Sequence, residues 1–291
     1  MGPTDLPRSG FLSSQRRRLH YVEWGDPEGM PLILLHGGRD HCRSWDRIAG
    51  ELQEDGWRII APDLCGHGDS DWSAEGLYTM TSFIYDLAEL IQQLDLQQVR
   101  LVAHSLGGNI GLHYAGVFPE RVAKIVSIEG LGYSPAVLAD RQKAKMAQQM
   151  RDWIEARRGL DGRPARRYAT VDEARERMQS ENKHLSPDLA DHLTRHGLRR
   201  NEDGSFGWKF DPYLRSFEPT EFGLARPQDL WSRIPSPVLL IYGADSWASN
   251  PLLDGRAAHF QEARVVVIEE ANHWVHHDQP ARVMTELKAF L

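Results

Sequence analysis

The chain has 291 residues, 41% hydrophobic and 26% charged, the composition of a globular protein long enough to bury a large core. Basic residues number 34 and acidic residues 41, so the formal net charge of −7 argues against a phosphate-backbone partner and no nucleic acid is expected. Two cysteines, Cys42 and Cys65, make no disulfide framework. The first eighteen residues hold no apolar signal-peptide core, and no run is long enough to span a bilayer. The expectation is a cytoplasmic protein with no membrane partner.

In chain order, residues 1–17 read as a frayed or loosely docked start, and Arg16 to Arg18 as a solvated strand edge. Leu19 to Trp24 and Pro31 to Leu35 are strand-like, separated by the turn cluster from Gly25 to Gly29. Trp45 to Leu52 reads as a helix and Arg58 to Ala61 as a buried strand. Ile84, Leu87, Ile91 and Leu94 fall at helical spacing and give one apolar face. Leu101 to Ala103 and Val122 to Ile128 are further strands. Strands alternating with helices predict an α/β fold with a doubly wound, mostly parallel sheet.

From Leu131 to Pro227 strand signal is sparse and charged helix abundant. This stretch carries 18 basic and 15 acidic residues, against a net −10 for the remainder. Thr170-Val-Asp-Glu173 is a capping box, Ser186-Pro187 an N-cap followed by proline at the first helical position, and Asn201 to Gly204 a turn. Val238 to Tyr242 and Val265 to Ile268 then resume the strand pattern, and Met284 to Leu291 closes as a helix. The expected organisation is a core of residues 1–130 and 228–291, with residues 131–227 a helical cap inserted after the sixth strand.

The chemistry centres on Val99-Arg-Leu-Val-Ala-His-Ser105-Leu-Gly-Gly108. A strand that stops at a serine and turns at once into a helix holds that serine in a strained conformation, its hydroxyl lifted clear of the sheet. Ala103 and Gly107 occupy the two small positions of the G-x-S-x-G elbow, and the Leu106 N–H faces the same space. Serine is a weak nucleophile near neutral pH unless a histidine takes its proton and a carboxylate fixes that histidine's tautomer. In an open parallel sheet such groups gather at the carboxyl ends of strands. Ser105, Glu129 and His273 all stand at predicted strand ends, in the order serine, acid, histidine.

The sequence resembles the α/β-hydrolases over nearly its whole length. The resemblance is carried by His36-Gly37-Gly38, Asp63-x-x-Gly66-x-Gly68-x-Ser70, the Ser105 elbow and His273-x-x-x-x-Asp278-x-Pro280. Asn182 to Pro187 and Trp208 to Pro212 more narrowly resemble the serine hydrolase-like proteins. The resemblance implies an oxyanion hole from the Gly38 and Leu106 N–H groups, and a loop-bracing role for His36.

It leaves two candidates for the acid. The family usually carries it three residues beyond a glycine after the seventh strand, but in Tyr242-Gly-Ala-Asp-Ser246 that position holds serine, and Asp245 comes one residue early. Glu129 ends the preceding strand, where one branch of haloalkane dehalogenases is similar in placing its acid. Glu129 is the preferred reading and Asp245 the alternative.

Arg39 borders the oxyanion loop, either to bind a substrate carboxylate or to pair with an acid of the insertion. Cys65 reads as a buried small hydrophobe. His273, His276, His277 and Asp278 have the spacing of a metal cluster, but the segment fits the hydrolase motif and no metal is expected.

The resemblance thus implies a serine hydrolase that cleaves a small carboxylic ester or related acyl compound through an acyl-enzyme, with a small-molecule acyl substrate and no cofactor. A carbon–carbon bond hydrolase of the meta-cleavage type is an alternative, as is a non-catalytic ligand-binding receptor on the same fold.

Overall fold

The structure, a computed structural model, describes residues 6–161, 165–216 and 227–291. Residues 1–5 of the expected frayed start, and 162–164 and 217–226 of the expected insertion, lie outside the described residues.

Eight strands form one sheet: β1 (Arg8–Ser14), β2 (Arg17–Gly25), β3 (Met30–Leu35), β4 (Trp57–Pro62), β5 (Val99–His104), β6 (Val122–Ile128), and, after the insertion, Val238–Gly243 and Ala263–Ile268. The last two are β9 and β10, because a small hairpin inside the insertion supplies β7 (Leu198–Arg200) and β8 (Phe206–Trp208). The order across the sheet is β1-β2-β4-β3-β5-β6-β9-β10. β1, β2 and β4 pair antiparallel; every pair from β4 to β10 is parallel.

Period-two alternation sorts the strand residues onto two faces. Ile33, Leu35, Leu101, Ala103 and Leu240 join one buried cluster, while Leu32, Leu34, Val102, Leu239 and Ile241 join the other. The first face is covered by α2 (Met80–Gln93) and α3 (Leu106–Val117), which bury Phe83, Leu87, Leu90, Ile91, Ile110 and Leu112. The second is covered by α1 (Asp46–Leu52) and the C-terminal helix, Pro280–Phe290, through Ile48, Leu52, Val283 and Leu287. Each fully buried Leu or Ile contributes roughly 1.5–3 kcal/mol relative to exposure. Both faces are therefore sealed, and the strand ends are left as the place for chemistry.

Two expectations are corrected. Arg8–Ser14, read as part of a frayed start, is a strand in register with β2, Phe11 opposite His20. Its segment looks polar because it is an edge strand: Leu12 and Ser14 point inward, and Ser14 Oγ donates to Asp86 Oδ1 at 2.6 Å in the interior. The Arg16 region is the tight turn of this hairpin, with Gln15 and Arg16 at φ 50° and 64°. Arg17 pairs with Asp86 at 3.5 Å instead of lying in solvent.

Between β6 and β9 the described chain forms α4 (Pro135–Gln142), α5 (Met146–Asp161), α6 (Val171–Glu181), α7 (Pro187–Gly197) and the β7–β8 hairpin, followed by α8 (Pro227–Trp231). The Thr170 hydroxyl accepts from Glu173 N–H at 3.2 Å while the Glu173 carboxylate accepts from Ala169 N–H at 2.8 Å, and Ser186 caps α7. Polar contacts tie this segment to the loops after β3 and before α2. His41 Nε2 donates to Leu193 O at 2.9 Å, His192 Nε2 to Arg43 O at 3.0 Å, and Tyr78 OH to Asp211 Oδ2 at 2.5 Å. No helix among the described residues is long and apolar enough to cross a membrane.

Candidate active site

β5 ends at His104, and α3 begins at Leu106, so Ser105 alone makes the turn. It sits at φ 50° and ψ −114°, a conformation that a non-glycine residue holds only when its surroundings impose it. The crowding that imposes it is visible at the glycines. A Cβ on Gly107 would come within 2.5 Å of Leu35 O, and one on Gly108 within 2.7 Å of Gly130 Cα. The elbow helix thus packs backbone-to-backbone against the ends of β3 and β6, which only glycine permits.

His273 reaches the serine from the loop after β10. Its Nε2 lies 3.0 Å from Ser105 Oγ, and its Nδ1 lies 2.5 Å from Glu129 Oε2. Glu129 immediately follows β6 at φ 50°, and its side chain is fully buried. A buried carboxylate is costly unless its oxygens are satisfied. Here Oε1 accepts from Gly243 N–H at 2.8 Å, and Oε2 accepts from Ser246 Oγ at 2.6 Å as well as facing the imidazole. With Nδ1–H turned to the carboxylate, Nε2 is left as the acceptor facing the serine hydroxyl. Ser105, His273 and Glu129 are brought together. Asp245 is not: its side chain is exposed and makes no hydrogen bond or ion pair among the described residues, while its N–H bonds Ala271 O at 2.9 Å.

The loop Gly37–Gly38 borders the elbow, since a Cβ on Gly37 would lie 3.3 Å from Ser105 Cβ and one on Gly38 3.9 Å from Leu106 Cδ2. Leu106, the first residue of α3, carries one of the N–H groups that a helix leaves free at its start. His36 underpins the loop: Nδ1 donates to Gly37 O at 2.7 Å, and Nε2 accepts from Leu64 N–H at 3.0 Å. Burial holds its imidazole below the ordinary value, so it stays neutral and keeps both bonds.

His104 was passed over in the sequence, although it directly precedes the serine at a strand's last position. Its Nε2 donates to His273 O at 2.9 Å, and its ring lies 4.9 Å from the His273 ring. Burial, and then the nearby His273, push it well below the usual imidazole value. Asn272 Oδ1 accepts from His273 N–H at 2.7 Å and Asp278 Oδ2 from Asn272 N–H at 2.8 Å, so the histidine loop is pinned at three points.

Ser105, Leu106, Gly38, Glu129 and His273 line a cavity of about 1780 Å³ together with residues of the insertion, among them Leu138, Trp208 and Arg215. Arg39, at φ 64°, is in the same wall.

Among the described residues three groups of potential metal ligands gather within 4.8 Å: His20 with Cys42 and Asp63, Asp46 with His192 and His196, and Asp40 with His276 and His277. In the first, His20 Nδ1 and the Cys42 N–H already hold the Asp63 carboxylate; in the second, Arg43 holds Asp46. His273 and Asp278 belong to none of them. Cys65 is buried, and burial pushes its thiol up to about 12, which suits a small hydrophobe.

Residues 30–280 match the model of the alpha/beta hydrolase fold family. A serine hydrolase-like protein of Danio rerio is 27% identical over 276 residues, covering 92% of this chain and 83% of its own. The thioesterase domain from the curacin biosynthetic pathway superposes with a TM-score of 0.83 at 22% identity, covering 97% of this chain and 99% of that one. An esterase from Mycobacterium tuberculosis gives a TM-score of 0.75 at 22% identity, covering 99% and 92%. The sheet order, the strained elbow and the match across most of the chain lead to one conclusion: this protein belongs to the alpha/beta hydrolase fold family and is a hydrolase.

Proposed function

We propose that the chain is a serine hydrolase of small carboxylic esters or related acyl compounds, working through an acyl-enzyme. The observation that carries this reading is the continuous chain Glu129–His273–Ser105, with contacts of 2.5 and 3.0 Å, opening onto a cavity. His273 Nε2 takes the Ser105 proton as Oγ attacks the acyl carbon. The carbonyl π electrons move onto oxygen, and the Gly38 and Leu106 N–H groups stabilise that oxyanion where its charge develops. The imidazolium is held by Glu129 until it returns the proton to the departing alcohol. Water, deprotonated by the same imidazole, then attacks the acyl-enzyme and releases the acid. The described segment between β6 and β9 serves as a cap that shapes the acyl pocket, in line with the place of Leu138, Trp208 and Arg215 in the cavity wall.

The test is labelling with an arylphosphonate together with hydrolysis of nitrophenyl esters of rising acyl length. The reading expects one phosphonate adduct on Ser105 and an optimum chain length. Turnover that persists in Ser105→Ala, or none across the series, would overturn it.

A further inference from the structure

The chain is acidic overall, yet the wall of its cavity is not. Among the described residues three carboxylates line the cavity, and each is already engaged: Glu129 with His273, Glu181 with Arg177, and Asp278 with the Asn272 N–H. Four of the lining guanidiniums, those of Arg39, Arg166, Arg199 and Arg215, form no ion pair among the described residues, and Arg199 lies over the Trp72 ring at 4.6 Å. Arg215 rests its Cζ 5.9 Å from the Phe210 ring centroid, a contact that leaves the N–H edges of the guanidinium open. Arg39 directly follows Gly38, so whatever it holds lies beside the oxyanion loop.

We propose that Arg39 and Arg215 form an anion subsite next to the acyl pocket, so that the substrate is an acyl compound bearing a carboxylate or a phosphate. The proposal rests on the ester-hydrolase reading above and names its substrate class. Guanidinium forks match both anions, and two like charges facing one concave wall concentrate a field that an anion relieves. Burial, and after it the charge of Arg215, hold the Arg39 guanidinium below its ordinary value, with Glu181 opposing. An anion held beside Arg39 would oppose both of these effects. A substrate anion held there fixes the acyl carbon over Ser105, converting charge recognition into orientation.

The experiment compares nitrophenyl hemiglutarate with nitrophenyl pentanoate, equal in acyl length and different in charge, for the parent chain, Arg39→Gln, Arg215→Gln and Arg200→Gln. Arg200 is exposed on β7 and outside the cavity wall, which makes it the charge control. The parent is expected to favour the charged ester by about tenfold, mainly in KM, as befits a charged hydrogen bond. Each cavity variant should reduce that preference about tenfold, while Arg200→Gln leaves it unchanged.

In parallel, tryptophan fluorescence of Ser105→Ala is titrated with glutarate and with inorganic phosphate, using Trp247, whose ring lies 4.8 Å from that of His273. Saturation by glutarate assigns the anion as a carboxylate and saturation by phosphate as a phosphate. Either must be lost on adding Arg39→Gln. Equal handling of the two esters with no binding of either anion would overturn the subsite and leave the ester reading standing. Arg39-dependent anion binding with no ester turned over would do the reverse.

Discussion

Ser246 donates its hydroxyl proton to Glu129 Oε2 at 2.6 Å, the same oxygen that faces His273 Nδ1. Ser246 stands where the family pattern leads one to look for the acid, and Glu129 stands at the end of the neighbouring strand. β6 and β9 pair in parallel, Ile128 opposite Ile241, so their ends lie side by side about 4.8 Å apart. A carboxylate can therefore reach the same imidazole from either strand, and here the serine supports the one carried by β6. Ser246→Ala should lower kcat/KM by about tenfold or more, the value of one hydrogen bond to a charged acceptor. Ser246→Asp placed in Glu129→Gln should recover activity by at least about tenfold over Glu129→Gln alone. A double variant no better than the single one would show that the two strand ends are not equivalent.

The elbow's crowding predicts a cost at Gly107. An added Cβ would meet the carbonyl oxygens of Leu35 and His36 at 2.5 and 2.6 Å, backbone atoms that cannot swing away. Gly107→Ala should lose about 1–3 kcal/mol of stability in urea unfolding and displace Ser105 enough to depress turnover. An unchanged midpoint with full activity would contradict the backbone packing described.

Acid sensitivity follows from the buried imidazoles. Burial holds His104 and His276 well below their usual value and His277 down to about 4. Unfolded histidines take up protons below about pH 6.5, so between 6.5 and the lower folded values the unfolded state binds more protons. Stability is thus complete above pH 6.5 and falls as pH falls, by about 1.4 kcal/mol per pH unit for each such histidine. Tm followed from pH 7.5 to 4.5 should show this slope, and His277→Gln should flatten it by about one proton. Parallel slopes for the two proteins would refute the assignment.

The cysteines should be silent. Burial raises both thiols, Cys65 to about 12 and Cys42 well above its ordinary value. At pH 8 a thiol reagent should modify neither in the folded protein, both on unfolding, and leave activity intact. Rapid loss of activity on alkylation of native protein would show a reactive thiol.

The parallel core was legible because its strands are continuous apolar runs buried on both faces, and Leu32 to Leu35 and Val238 to Tyr242 could hardly be anything else. The meeting of Ser105 with His273 could be expected from strand-end position and order. β1 was not, because half of an edge strand faces solvent and its polar inward residue, Ser14, is satisfied by Asp86, 72 positions away. The β7–β8 hairpin escaped for a similar reason: three-residue strands such as Leu198–Arg200 offer too little alternation to register. Glu129 was preferred to Asp245 from its strand-end position and the family resemblance, and strand order brings it to His273 across 144 residues. His104 escaped because its task, holding the His273 carbonyl, exists only once β5 and the histidine loop meet.

The most direct measurement is kcat on a nitrophenyl ester for Ser105→Ala, Glu129→Gln and Asp245→Asn beside the parent chain. The expected loss is about 10⁴-fold or more for the first, on the order of 10²–10⁴-fold for the second, and less than about twofold for the third. A larger loss in Asp245→Asn than in Glu129→Gln would contradict it.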